Sequence, residues 1–307
     1  MTITINKRAI ECLENNDYKQ ALLLFEEAVS QSRDVQSLTN LSWIYAYEEN
    51  NYEAALPLLM EVVGFQPPSH LPYNLLGEVF IHLERWQEAS DALLRAIAIH
   101  PTGEAYNNLG VAKYQLGALA QASKYYLKCA RLSDYSLYSH IKCLIELGRT
   151  DEAQMKLGTF SENDDEFVGS VAVAELYMEL RRYEQAVEWF EKEWSMYYKS
   201  PDWVKRFVFC LVQTNRIARA NEIANECIKQ NQEERDEAEL NGYGEDWTER
   251  EKEEYLSRLL HERQEFERMV EDVLSGHMPA MKFATSIRTG CYLFGCNRHN
   301  NPEYHER

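Results

Sequence analysis

Apolar side chains in this chain recur at three- and four-residue steps within short blocks, and the blocks themselves recur. The clearest block runs Tyr73-Asn-Leu-Leu-Gly77, continues through Phe80, Trp86, Ala89, Leu93 and Ala96, and ends at Pro101. Such spacing puts one apolar stripe on each of two helices, and proline, which lacks the amide proton of a helix interior, closes the second. The same register returns along the chain. A first block holds Ala9, Ala21, Phe25 and Ala28, and a second holds Leu41, Ser42, Tyr45, Tyr52, Ala55, Leu59 and Pro67. Beyond Pro101 come Tyr106, Leu109, Gly110, Gly117, Ala122, Tyr126 and Cys129, then Leu137, Leu144, Gly148, Ala153 and Leu157. The last two hold Ala174, Tyr177, Tyr183, Ala186 and Phe190, then Val204, Leu211, Ile217, Ala220 and Ala224. The seven starts fall near residues 2, 35, 70, 103, 134, 167 and 201, a period of 31 to 35 residues. Repetition at that period is the mark of stacked helical hairpins, because one hairpin cannot bury its apolar face alone.

These residues resemble the consensus of the tetratricopeptide repeat (TPR) family over residues 2–230. In that family a small residue on each helix lets two antiparallel helices approach closely, and larger apolar residues fill the space around them. The resemblance implies an all-α fold: a right-handed TPR superhelix, an α-solenoid with a concave inner surface. Pro57 departs from the pattern inside the second helix of repeat 2, and the acidic stretch 161–166 is expected to loosen the junction between repeats 5 and 6.

Beyond a TPR array at 1–230, the sequence predicts three further segments. Residues 231–247 read as an acidic linker that includes the helix-stopping Asn241-Gly-Tyr-Gly244. Residues 248–275 read as a helix opened by the capping box Thr248-Glu-Arg-Glu251 and followed by Gly276. Its stripe of Leu256, Leu259, Phe266, Val270 and Val273 needs a cover, either as a cap on the last repeat or as a contact with a partner helix. Residues 276–307 form a Cys/His-containing tail. There Cys291, Cys296, His299 and His305 supply four ligands, enough for tetrahedral zinc, at a spacing of no familiar zinc finger. The alternatives are a tail whose Tyr292, Leu293 and Phe294 dock on the superhelix with free thiols, a redox pair, or a tail that another protein reads or modifies. No other cofactor is expected.

Charge changes the picture in one respect. The net charge of −18 would repel nucleic-acid phosphates and anionic lipids, so neither is an expected partner. More than half of the excess lies in residues 231–272, which hold 16 acidic and 6 basic side chains. There is no apolar run of membrane-spanning length and no secretory pattern at the N-terminus, and five of the seven cysteines lie scattered in helical blocks. A cytoplasmic protein is the expectation.

No phosphate loop, zinc-protease motif or nucleophile elbow is present, and a non-enzymatic protein is expected. The resemblance implies that the inner helix of each hairpin faces a peptide groove, where an Asn amide can both donate to and accept from a peptide backbone. Asn40 and Asn108 occupy the family's asparagine position, with Asn74 and Asn107 one residue before it. Trp43 and Phe209 would add aromatic surface, and Glu78 and Glu175 anionic character. The expected partner is therefore a protein or peptide with basic character, bound by a scaffold, adaptor or chaperone. An acidic inhibitor that neutralises a basic enzyme is the alternative, and action through the tail a further one.

Overall fold

The computed structural model describes residues 4–304 apart from 132, 164, 193, 197, 241–247 and 282. Among the described residues it holds fifteen α-helices and no strand, and the chain divides into two compact units. Unit 1 comprises Met1–Leu147 with Thr285–Arg307, and unit 2 comprises Gly148–Ala284. Unit 1 contains α1 (Ile5–Glu14), α2 (Tyr18–Gln31), α3 (Val35–Tyr47), α4 (Tyr52–Gly64), α5 (Leu71–His82), α6 (Trp86–Ile99), α7 (Gly103–Gln115), α8 (Leu119–Cys129) and α9 (Asp134–Glu146). Unit 2 contains α10 (Thr150–Leu157), α11 (Ser170–Glu179), α12 (Tyr183–Lys192), α13 (Pro201–Gln213), α14 (Ile217–Leu240) and α15 (Glu249–Leu274). The fold is an all-α array of helical hairpins, an α-solenoid. Its degenerate fifth repeat is divided, with α9 in unit 1 and α10 in unit 2.

Local chemistry starts and stops these helices. The side chains of Thr4, Asp17, Asp34, Asn51 and Thr102 each accept a bond from a backbone amide three residues on, which satisfies donors that a helix start otherwise leaves free. The hairpin turns carry a second signature. Asn16, Asn50, Glu84, Gly117, Gly148, Arg181 and Asn215 all adopt positive φ, between 50° and 72°. Their intervals of 31 to 34 residues mark one left-handed turn residue in every repeat. Asn and Gly adopt that conformation readily, whereas Glu84 and Arg181 are held in it against a side-chain clash, so the packed helices on either side dictate the turn.

Helix approach within a hairpin depends on missing side chains. A Cβ added to Gly77 on α5 would lie 2.5 Å from Cγ of Leu93 on α6, and one added to Gly110 on α7 would lie 2.7 Å from the Tyr126 ring on α8. Both neighbours are fully buried, so neither can swing away. Gly110→Ala is expected to lower stability by about 1–3 kcal/mol through overpacking. A reduced urea midpoint with an unchanged slope would report it, and an unchanged midpoint would refute the close-approach account.

The core of unit 1 runs through Phe25, Leu38, Leu59, Leu75, Leu93, Leu109 and Tyr126 from hairpin to hairpin. In unit 2 Phe190, Phe207 and Ile223 form a core with Phe266, Met269 and Val273 of α15, which lies along α13 and α14. The capping box of Thr248 and Glu251 opens α15, and Met269, absent from the expected stripe, is buried where Val270 is only partly covered. The linker expected over 231–247 is corrected: α14 continues to Leu240, where Ala238 and Asn231 are buried and Asn231 Nδ2 donates to Leu259 O at 3.0 Å. Polar composition concealed a helix whose few buried positions suffice to pack it on α15. The Asn241–Gly244 stop lies outside the described residues.

Candidate functional site

In unit 1 the inner helices α3, α5 and α7 turn a row of polar side chains toward one surface, and the chain's own tail lies on it. Asn40 Nδ2 donates to Phe294 O at 3.1 Å, and Asn40 Oδ1 accepts from Phe294 N at 2.8 Å. Asn108 repeats the arrangement with Arg288, at 2.8 Å in both directions. Asn107 Nδ2 donates to Ser286 O at 2.8 Å, and Gln115 Nε2 donates to Thr285 Oγ1 at 3.2 Å. The tail thus runs antiparallel to the order of the repeats, from α7 at Ser286 and Arg288 to α3 at Phe294. Gln36 Oε1 continues the contact by accepting from Tyr304 N at 2.9 Å.

The spacing has a geometric basis. Packed helices lie about 8–10 Å apart, so α3 and α7, with α5 between them, are separated by roughly 16–20 Å. The six steps from Arg288 to Phe294, at about 3.3 Å each in extended chain, span about 20 Å. An extended strand therefore advances three residues per repeat and meets an asparagine at every second repeat.

Glu78 on α5 lies between the two clamps. Its carboxylate accepts hydrogen bonds from the hydroxyls of Tyr47 and Tyr292 and, at 3.0 Å, from Asn108 Nδ2. Burial pushes this carboxyl up to about 8, with the hydrogen bonds pulling partly back. Burial and the facing carboxylate raise the Tyr47 and Tyr292 hydroxyls in turn, so both stay protonated as donors. Tyr292, Leu293, Phe294 and Cys296 are all buried in the unit 1 core.

The other sequence-derived candidates divide. Trp43 on α3 stacks obliquely on Tyr47 at 5.2 Å and lines a cleft of about 450 Å³ with Cys291, Cys296 and His299; its indole nitrogen has no hydrogen-bond partner. Asn74 on α5 is buried with both amide atoms unpartnered, and nothing in the structure explains it. Three expectations are corrected. Glu78 does not face a basic partner, because Tyr292 of the same chain covers it. Glu175 on α11 is ion-paired with the buried Arg206 at 2.7 Å, which compensates its charge within unit 2. Phe209 on α13 is an inter-repeat core residue, 7% exposed and edge-on to Tyr183. His305 lies outside the described residues. Sequence reading missed Tyr47, Gln36 and Gln115 and the accepting and donating backbone of the tail. Tyr292 and Phe294 carried a signal as apolar residues in a polar segment, but no period tied them to Asn40 or Glu78.

Burial raises the thiols of Cys143, Cys210 and Cys227 to about 12. These thiols stay protonated near neutral pH and offer weak nucleophiles. No helix among the described residues is long and apolar enough to cross a membrane.

Comparison with known proteins adds likenesses in sequence and in fold. Tetratricopeptide-repeat profiles match residues 74–136 and 171–192. A tetratricopeptide repeat protein from Parabacteroides merdae is similar in structure, with a TM-score of 0.55 at 16% identity over 85% of this chain and 97% of that one. PilF of Pseudomonas aeruginosa is similar with a TM-score of 0.50 at 16% identity over 63% of this chain and 90% of that one. At such identity the likeness concerns the fold. No curated protein matches the chain in sequence.

Proposed function

We propose that this chain is a tetratricopeptide-repeat protein with a non-enzymatic interaction role, whose unit 1 groove binds an extended peptide strand. A scaffold or adaptor role among proteins is what the repeat fold supports in general. The observation that carries the finer reading is the pair of reciprocal clamps, Asn40 on Phe294 and Asn108 on Arg288. Each amide reads backbone N–H and C=O rather than a side chain, so the clamps tolerate many sequences, while the buried Glu78 favours a strand with a hydroxyl donor at the place of Tyr292. In the intact chain the resident strand is the tail, and a partner gains the groove by displacing it.

The acidic-inhibitor alternative receives less support. Glu78 and Glu175 are both internally compensated, and on α14 and α15 Arg235, Arg250 and Arg263 each pair with a glutamate four residues on.

The double variant Asn40→Ala, Asn108→Ala tests the reading in the full chain. Amide hydrogen exchange at Arg288 and Phe294 is expected to accelerate at least about tenfold, given roughly 1 kcal/mol or more for each buried bond removed. Unchanged protection of those two amides, in a variant with wild-type helicity, would overturn it.

A further inference from the structure

The tail brings together a ligand set that its linear spacing did not establish. Cys291 Sγ, Cys296 Sγ and a ring nitrogen of His299 all lie within 4.8 Å of one another, and Cys296 Sγ is 3.3 Å from His299 Nδ1. Ligands bound to zinc at about 2.3 Å for sulfur and about 2.0–2.1 Å for nitrogen sit roughly 3.5–3.8 Å apart at the corners of a tetrahedron. The Cys296–His299 edge is already close to that length, and the remaining edges need inward shifts on the order of 1 Å.

The loop that holds these ligands is organised around Asn301. Its Nδ2 donates to Cys291 O at 2.8 Å and Leu293 O at 3.0 Å, with Cys291 Sγ at 3.6 Å, and its backbone N donates to Cys296 O at 3.0 Å. Gly295, at φ +83°, turns the chain between the two cysteines and donates to Pro302 O at 3.0 Å. Asn40 anchors the loop from below through Phe294, whose ring meets Tyr304 at 5.3 Å. The three ligands line one wall of the Trp43 cleft, which supplies an entry path and room for a fourth ligand.

The geometry points to a zinc site made by Cys291 Sγ, Cys296 Sγ and His299 Nδ1, with its fourth position facing the cleft. Two thiolates and an imidazole suit Zn²⁺ and exclude the oxygen-seeking Mg²⁺ and Ca²⁺. Asn301 is a positioning residue: it fixes the Cys291 backbone and lies against its sulfur, as the groups behind metal ligands commonly do. The cation fastens the turn that presents Phe294 to Asn40, and the site does not depend on which partner the groove takes.

Reduced full-length protein titrated with Zn²⁺ against a chromophoric chelator is expected to take up one cation per chain. Co²⁺ in its place is expected to show the visible bands of a tetrahedral site and a thiolate charge-transfer band. Cys291→Ser, Cys296→Ser and His299→Ala are each expected to weaken binding by at least about 100-fold, and Asn301→Ala by about tenfold. His299 is exposed, so its variant keeps the fold, and Cys12→Ser serves as a thiol control that leaves binding intact. Absence of the cobalt spectrum from the reduced protein, or unchanged affinity in the Cys291 and His299 variants, would overturn the site. So would protein from its native cell that carries no zinc and a Cys291–Cys296 disulfide, seen as the loss of two hydrogens in intact mass.

Discussion

A chain ending at Ala284 is expected to bind a synthetic peptide of residues 285–304, whereas the intact chain is expected to bind it far more weakly. In the intact protein the tail competes from within: intramolecular linkage gives roughly millimolar effective concentration, enough to weaken a free competitor by roughly 10²- to 10⁴-fold. Two contributions hold the strand. Burial of Tyr292, Leu293 and Phe294 contributes on the order of 1.5–3 kcal/mol per side chain, and the asparagine clamps supply register. The clamps allow a sharp control, since proline has no amide proton to give Asn108 or Asn40. A peptide with Arg288→Pro and Phe294→Pro is expected to lose binding, read by fluorescence anisotropy. Deletion uncovers apolar surface on unit 1, so the same titration belongs on the full-length Arg288→Pro, Phe294→Pro variant, whose tail has lost both clamped amide protons while the groove keeps Asn40 and Asn108. A folded truncated chain that ignores the wild-type peptide, or that takes the proline peptide equally well, would sink the idea of a backbone-reading groove.

The second large effect is on pH. An exposed glutamate titrates near 4.5, and burial in the folded chain raises Glu78 to about 8. Between those values the folded state holds a proton that the unfolded state has released. The contribution of Glu78 to stability is therefore fully present below about 4.5 and is lost as pH rises through about 8, at up to about 1.4 kcal/mol per pH unit and a few kcal/mol in all. Glu78→Gln keeps an acceptor for the Tyr47 and Tyr292 hydroxyls and removes the titration. Urea unfolding from pH 5 to pH 9 should show wild type weakening toward alkaline pH while the glutamine variant stays flatter, the two diverging most at pH 9. Parallel curves would mean that Glu78 is already ionised beneath the tail, and the account of its burial would fail.

The repeats were legible because their evidence is local and periodic. Gly77 and Gly110 recur at the place where a Cβ would strike the facing helix, and the left-handed turn residues recur at the same interval, so each repeat supports its neighbours. Asn40 and Asn108 were legible as inner-helix residues for the same reason. The segment they bond was not, because it lies 180 and 254 residues away along the chain and shares no register with the helices. The stretch 231–240 was misread in the opposite sense: its composition is that of a linker, yet contact with α15 makes it the end of α14.

Glu78 shows how far position alone can mislead. A carboxylate on an inner helix suggests an anionic groove until Tyr292 covers it and desolvation favours its neutral form.

The helices and their pairing into hairpins follow from local pattern, because small residues, caps and turn positions act over a few bonds and repeat at a fixed interval. That the tail lies across α3, α5 and α7, that Glu78 is buried and that two cysteines and a histidine converge beside Trp43 emerges only in the folded chain. Those outcomes rest on contacts between segments remote in sequence, where burial and shape select the partner and no local pattern announces it.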